Sequence, residues 1–309
     1  ACSKSDKTKV TNKTPINPVK VPERPWDKLG LDLVGPINLQ GLTYKYAFVL
    51  VDYFSHWIVT KFTNNINTRN LIEFLTETFS NEGIPSTIIT DNGVQFVSEE
   101  MKTYLANLSI QHVKTPLYCP RANGMVERAN RLIKESIQLA LAGGKAILQN
   151  VREMLWAYHT APNCITHISP FQLLKGRKPG TKLVPNWMKR KHPEAMDGES
   201  IGDKIRVHQN RYKGWYDKKW AVKKSCWEEG QWIMIKRHHN KFNKFTEPMR
   251  VKKVLDNVLI MDNGQMWSMD KVTPCPTVLI PRGTPNEEPT DPDTDPGRRV
   301  KDTMLGRRK

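Results

Sequence analysis

The sequence predicts an α/β domain built on a mixed sheet with flanking helices, followed by a basic helical linker and a small C-terminal β-barrel. Three observations predict it. Three strand patterns run in series near the start, strand and helix patterns then alternate to about residue 160, and short strands return after residue 228.

Residues 1–27 are polar, with Lys and Pro and little periodicity, and read as an extended lead-in. Leu29–Val34 alternates around Asp32, Tyr46–Tyr53 is a buried-looking apolar run, and Trp57–Phe62 alternates again, a meander by pattern. Thr68 is the expected N-cap of a helix over Arg69–Phe79, with Leu71, Ile72, Phe74, Leu75 and Phe79 on one face. Thr87–Thr90 reads as a fourth strand. Ser98 is expected to cap a short helix to about Leu105, and Ile110–Lys114 reads as a fifth strand. After a loop over Pro116–Gly124, a long helix is expected over Met125–Leu141, closed by Gly143-Gly144, and another over Ala146–Thr160. Residues 186–227 read as a basic helix whose Tyr212, Trp215, Tyr216 and Trp220 suit one buried face. Residues 228–275 read as the β-barrel, and residues 276–309, rich in Pro and charge, as a disordered tail.

The chain of 309 residues carries a net charge of +17, which favours a polyanionic partner, nucleic acid before membrane. The surplus is uneven. Residues 28–185 hold 16 basic and 11 acidic side chains, whereas the shorter stretch 186–275 holds 19 and 11. No apolar run approaches the ~18 residues of a membrane-spanning helix. The five cysteines, Cys2, Cys119, Cys164, Cys226 and Cys275, are scattered without a C-x-x-C pair, which argues for a reducing compartment and against a zinc site.

The tripeptide Asp-Asn-Gly occurs twice. At Asp262-Asn263-Gly264 it lies between two strand patterns and reads as a hairpin turn. At Asp91-Asn92-Gly93 it comes after a strand whose C-terminal end is where ligands gather in open α/β sheets, so Asp91 either makes a turn or holds something. Asp32 stands inside an apolar strand, an expensive place for a carboxylate without a partner or a cation. Glu127 falls near the start of the long helix, with Arg131 and Lys134 four and seven residues on, along the same face. That face is either an ordinary solvated one with an ion pair, or a metal ligand continuing into phosphate contacts. Asp52, another acid at a strand end, reads as structural. If the first and fourth strands are neighbours, Asp32, Asp91 and Glu127 converge. Three hard oxygen donors suit Mg²⁺ or Mn²⁺, and two such ions ~3.5–4 Å apart serve phosphodiester chemistry.

The stretches LDLVGP, VDYFSHW, GIPSTIITDNGVQF and YCPRANGMVERANR, together with WAYHTAPNCITHISPFQLLKGR downstream, strongly resemble the integrase catalytic core of gypsy-type LTR retrotransposons and retroviruses, over about residues 22–185. The resemblance implies a ribonuclease H-like fold and a catalytic, metal-binding triad of Asp32, Asp91 and Glu127 on two Mg²⁺ or Mn²⁺ ions. It implies 3′-end processing and then DNA strand transfer, both phosphodiester transesterification or hydrolysis at one site. Asn123, Arg121, Arg131 and Lys134 stand at positions expected to touch DNA. Lys218, Lys219, Lys223 and Lys224 of the linker, and Lys236 and Arg237 of the barrel, are further expected contacts. The implied partners are double-stranded DNA, as element ends and target, and further copies of the chain, with no membrane partner and a nuclear place of action. The family's N-terminal zinc module does not appear, so no zinc is expected here, and residues 1–21 read as a remnant just C-terminal to that module. The family's usual His-Pro-Gln reads Cys119-Pro120-Arg121. The alternative reading is a catalytically silent or host-adopted DNA-binding protein derived from such an integrase; a nuclease on the same fold is a weaker third.

Overall fold

The structure is a computed structural model that describes residues 15, 17–37, 44–116, 124–180, 198–220, 222, 227–235, 245–255 and 257–276. Its first sheet is formed by β1 (Lys28–Val34), β2 (Tyr46–Asp52), β3 (Ile58–Thr63), β4 (Thr87–Thr90) and β5 (Gln111–Lys114). The order is β3-β2-β1-β4-β5, with β1–β2 and β2–β3 antiparallel and β1–β4 and β4–β5 parallel. The mixed sheet expected from the strand series is therefore present.

Strand alternation assigns the two faces. Leu29 and Leu31 of β1, with Phe48 and Leu50 of β2, pack on one face against α1 (Thr68–Glu82), α2 (Val94–Val97) and α3 (Glu99–Asn107), through Leu71, Phe74, Leu75, Phe96, Met101 and Leu105. Val34, Val49 and Val51 face α4 (Gly124–Ala142) and α5 (Ile147–Thr160) on the other. The apolar stripe of α4 is Val126, Ala129, Ile133, Ile137 and Ala140, all buried and at helical spacing. Asn150 of α5 ties the two helices together by donating to the Ser136 carbonyl at 2.9 Å.

The N-cap of α1 is Asn67 and not Thr68, and the helix runs on to Glu82. The Asn67 side chain accepts from the Asn70 N–H, while the Thr68 hydroxyl turns away to Ser98 at 3.0 Å. Asn at a cap is at least as effective as Thr, so the one-residue shift has a local cause. Ser98 caps α3 as expected. The short α6 (Pro170–Lys175) has its own cap, Ser169, with Pro170 in the first turn.

The linker forms α7 (Gly198–Lys219). It packs on the core through Ile201 and Ile205, which meet Val21, Phe54 and Leu173. The expectation that its four aromatics share a buried face is corrected: Tyr216 is buried, but Tyr212, Trp215 and Trp220 are about half exposed, at 52%, 52% and 47%. Isoleucines near the start of the helix do the packing, and the aromatics stack on one another and under Lys219, which lies 4.5 Å from the Trp215 ring.

The C-terminal unit comprises β6 (Trp232–Ile235), β7 (Met249–Leu255), β8 (Val258–Met261), β9 (Met266–Ser268) and β10 (Val272–Pro274). It is an antiparallel sheet of order β10-β6-β7-β8-β9, with its own core of Ile233, Ile235, Val251, Leu259, Met261 and Met269. The expected barrel is not closed among the described residues. The edge strands β9 and β10 are three residues each and leave their joining 3₁₀ turn for opposite sides of the sheet. The lead-in before residue 15, all of 186–197 and the tail after 276 lie outside the described residues.

Candidate active site at the ends of two parallel strands

The last paired residues of β1 and β4 are Leu31 and Thr90. Asp32 and Asp91 each come one position later, so the two carboxylates are neighbours across a parallel pair, 59 residues apart in sequence. The same alternation that buries Leu31 among α1 and α3 turns Asp32 toward α4. There its Oδ2 accepts a hydrogen bond from Asn130 Nδ2 at 2.8 Å, and its Oδ1 one from the Leu33 N–H at 2.8 Å. Burial pushes the Asp32 carboxyl above the usual range, the two hydrogen bonds oppose this, and the Asp91 charge adds to the rise. Asn130 keeps its own Oδ1 buried without a hydrogen-bond partner.

The turn after β4 is shaped by close contact. The Gly93 N–H donates to Asp91 Oδ1 at 2.9 Å, and a Cβ at Gly93 would lie 3.0 Å from that oxygen. Gly93 has negative φ, so it is required for space. Thr90, fully buried, donates to the Asp91 carbonyl at 2.8 Å and accepts from His112 Nε2 at 2.8 Å. The second Asp-Asn-Gly is a hairpin turn, as expected: Gly264 has φ of 78° and joins β8 to β9. The same three residues thus serve two different ends.

Glu127 lies in the first turn of α4, exposed. Its carboxyl is raised by burial and then by the Asp32 charge, with Arg131 opposing. Arg131 and Lys134 are exposed on the same helix, and Lys134 lies close enough to lower Asp32. The ion pair that would have made this an ordinary helix face is not formed, since neither Glu127 nor Arg131 has one among the described residues. The three carboxylates feel one another in sequence Asp91–Asp32–Glu127, but among the described residues no three His, Cys, Asp or Glu side chains are gathered closely enough to hold an ion.

Asp52 is structural. Fully buried, it accepts from the N–H groups of Phe54 and Ser55 and from the Ser55 hydroxyl, closing the turn after β2. Of the other expected DNA contacts, Lys218 and Lys219 sit in the last turn of α7, on a separate element. Arg121, Asn123, Lys223, Lys224, Lys236 and Arg237 lie outside the described residues. Asn130 was missed from the sequence. Its only signal was its place three residues after Glu127, on the side of α4 that faces the sheet ends.

The family model described as the integrase core domain matches residues 22–120, a span that contains Asp32 and Asp91 and ends before Glu127. The uncharacterized protein K02A2.6 of Caenorhabditis elegans is 27% identical over 274 residues, 86% of this chain and 20% of that protein. The Pol polyprotein of radiation murine leukemia virus is 42% identical over 106 residues, 33% of this chain and 18% of that polyprotein. The chain thus spans about a fifth of the length of these relatives. The simian T-cell lymphotropic virus intasome, solved by cryoEM with PP2A regulatory subunit B56 gamma, contains a chain of the same fold: TM-score 0.57 and 19% identity over 89% of this chain and 88% of that one. The mixed five-stranded sheet with its flanking helices is the ribonuclease H-like one, and residues 22–120 of this chain match the integrase core domain.

Proposed function

We propose that the chain is a retrotransposon-type integrase, a polynucleotidyl transferase that trims the 3′ ends of an element's DNA and joins them to a target by attack on a phosphodiester. The observation that carries this reading is the adjacency of Asp32 and Asp91 one residue beyond the Leu31–Thr90 pair, with Glu127 on the facing helix.

The residues fit divalent cations by their chemistry. Asp32, Asp91 and Glu127 are hard oxygen donors without Cys or His, the Asp91 charge adds to the rise of Asp32 and the Asp32 charge to that of Glu127, and the orphaned Asn130 Oδ1 beside Asp32 is an acceptor for a donor such as the water of a hydrated ion. Asp32, between the other two, would hold both Mg²⁺ or Mn²⁺ ions, Asp91 one and Glu127 the other. Bound there, such ions supply charge that favours ionisation of an attacking oxygen and stabilises a leaving one. Asn130 and the Leu33 N–H fix the Asp32 carboxylate, and the Gly93 N–H fixes Asp91. Arg131 and Lys134 extend the site along α4 as phosphate contacts. A binding protein without chemistry has no use for three carboxylates facing a polyanion, so their presence supports the catalytic reading over the silent one.

The remaining assignments rest on the same reading. The core spans 22–185, the linker 186–227 and the C-terminal sheet 228–275, with the last two adding DNA contacts. The substrate is double-stranded DNA, the active form an oligomer, and the place of action the nucleus. The test is strand transfer from a pre-trimmed, labelled duplex into supercoiled DNA with Mg²⁺ or Mn²⁺. Wild type should give joined product, and Asp91→Asn and Glu127→Gln should give none while retaining salt-sensitive DNA binding. Equal activity in either variant removes that residue from the site.

A further inference from the structure

A cavity of about 240 Å³ lies on the side of α4 turned away from Glu127. Its walls come from parts of the chain far apart in sequence: the lead-in at Pro18 and Val19, the ends of β2 and β3, the first turns of α4, and α7. The body of the lining is apolar, including Val51, Ile58, Met125, Leu132 and Ile205. Its polar groups are one-sided. Arg128, His208 and His56 line it together with Gln209 and tyrosines, and no Asp or Glu does among the described residues.

His56 supplies the second observation. It is 5% exposed, and Asn163 Nδ2, which can only donate, meets its Nδ1 at 2.9 Å. The ring proton is therefore on Nε2, and Nε2 is buried with no hydrogen-bond partner. A buried donor left unmade costs stability, and proteins keep few of them. Burial, then Arg128, then His208 hold this ring neutral, which places the Arg128 guanidinium and the His208 imidazole within electrostatic reach of it. Arg128 forms no ion pair among the described residues.

We propose that this cavity is a binding site for a small amphipathic carboxylate, its apolar body between α4 and α7 and its carboxylate held by Arg128, His208 and the Nε2–H of His56. An apolar floor with a few convergent polar groups is the usual form of a small-molecule site, and an acceptor-only anion is what three donors without a counter-charge select. Because the walls join α4 to α7, occupancy ties the linker helix to the helix that carries Glu127. The site requires no DNA chemistry and stands or falls apart from the integrase reading.

The experiment uses 2-naphthoate as the probe and the neutral 2-naphthamide as its isostere, titrated into the full chain and monitored by backbone amide NMR and calorimetry. The expected result is saturable binding of the acid, with shifts in α4 and α7. The amide should bind about tenfold more weakly, the size of one charge-assisted hydrogen bond. Arg128→Gln and His208→Gln, both at exposed positions that leave the core intact, should each weaken the acid by a similar factor and leave the amide unchanged. His56→Gln, which retains a donor, should lose less than His56→Phe. No saturable binding, equal binding of acid and amide, or indifference to Arg128→Gln and His208→Gln together would overturn the proposal.

Discussion

Two histidines buried on the α5 side of the core make stability depend on pH in a calculable way. His56 is 5% exposed and His159 6%. His159 lies against the Trp57 ring at 3.7 Å, and its Nε2 accepts from the Ile58 N–H at 3.2 Å. Burial is the first cause that lowers each from 6.5 to about 4. Between those values the unfolded chain binds protons that the folded chain does not, so this contribution is intact above 6.5 and lost as pH falls toward about 4. The full interval corresponds to ~3 kcal/mol per histidine, and at pH 5 the loss is about 2 kcal/mol each. Buried Asp52, with Asp32 and Glu127, acts in the opposite sense. Their folded values are raised, so the charged forms destabilise at neutral pH and protonation relieves this as pH falls toward 3.8 or 4.5. A comparison of variants separates the two. His159→Gln keeps an acceptor for Ile58 and removes one titrating ring. Urea unfolding at pH 7.5 and 5.0 should show wild type losing about 2 kcal/mol more than His159→Gln across that step. Identical losses would refute the assignment of a neutral buried His159.

Asn130→Ala should lower strand transfer about tenfold through the lost hydrogen bond to Asp32, with DNA binding unchanged. Asn130→Asp should be worse, because it sets a second charge where the 2.8 Å bond now lies. Equal activity of the two variants would reduce Asn130 to a filler of space. The two Asp-Asn-Gly glycines should separate cleanly. Gly93→Ala crowds Asp91 Oδ1 and should cost activity more than stability, whereas Gly264→Ala, with open space but positive φ, should cost ~1 kcal/mol of stability and no activity. Thermal unfolding beside the strand-transfer assay checks both, and a large activity loss in Gly264→Ala would contradict the contrast.

The sequence by itself determined the order and kind of the elements, since periodicity, caps and turn residues are properties of neighbouring positions. The alternation around Asp32, the Ser98 cap of α3, the apolar face of α1 and the hairpin at Gly264 were all legible for that reason. It also singled out Asp32, Asp91 and Glu127, because a carboxylate in an apolar strand or at a strand end stands out against its neighbours. It misjudged α7, where 3, 1 and 4 spacing made four aromatics look like one buried face, because spacing alone does not say which face the core covers. It over-closed the C-terminal sheet, because strand patterns do not say which edges meet. The tertiary structure alone decided that β1 pairs with β4 in parallel, which sets Asp32 beside Asp91, and that Asn130 reaches Asp32. It alone buried His56 and His159 and left a cationic cavity between α4 and α7. Each of these depends on groups dozens to more than a hundred residues apart, brought together by packing, and hydrogen-bond partners and desolvation are set only when that packing is complete.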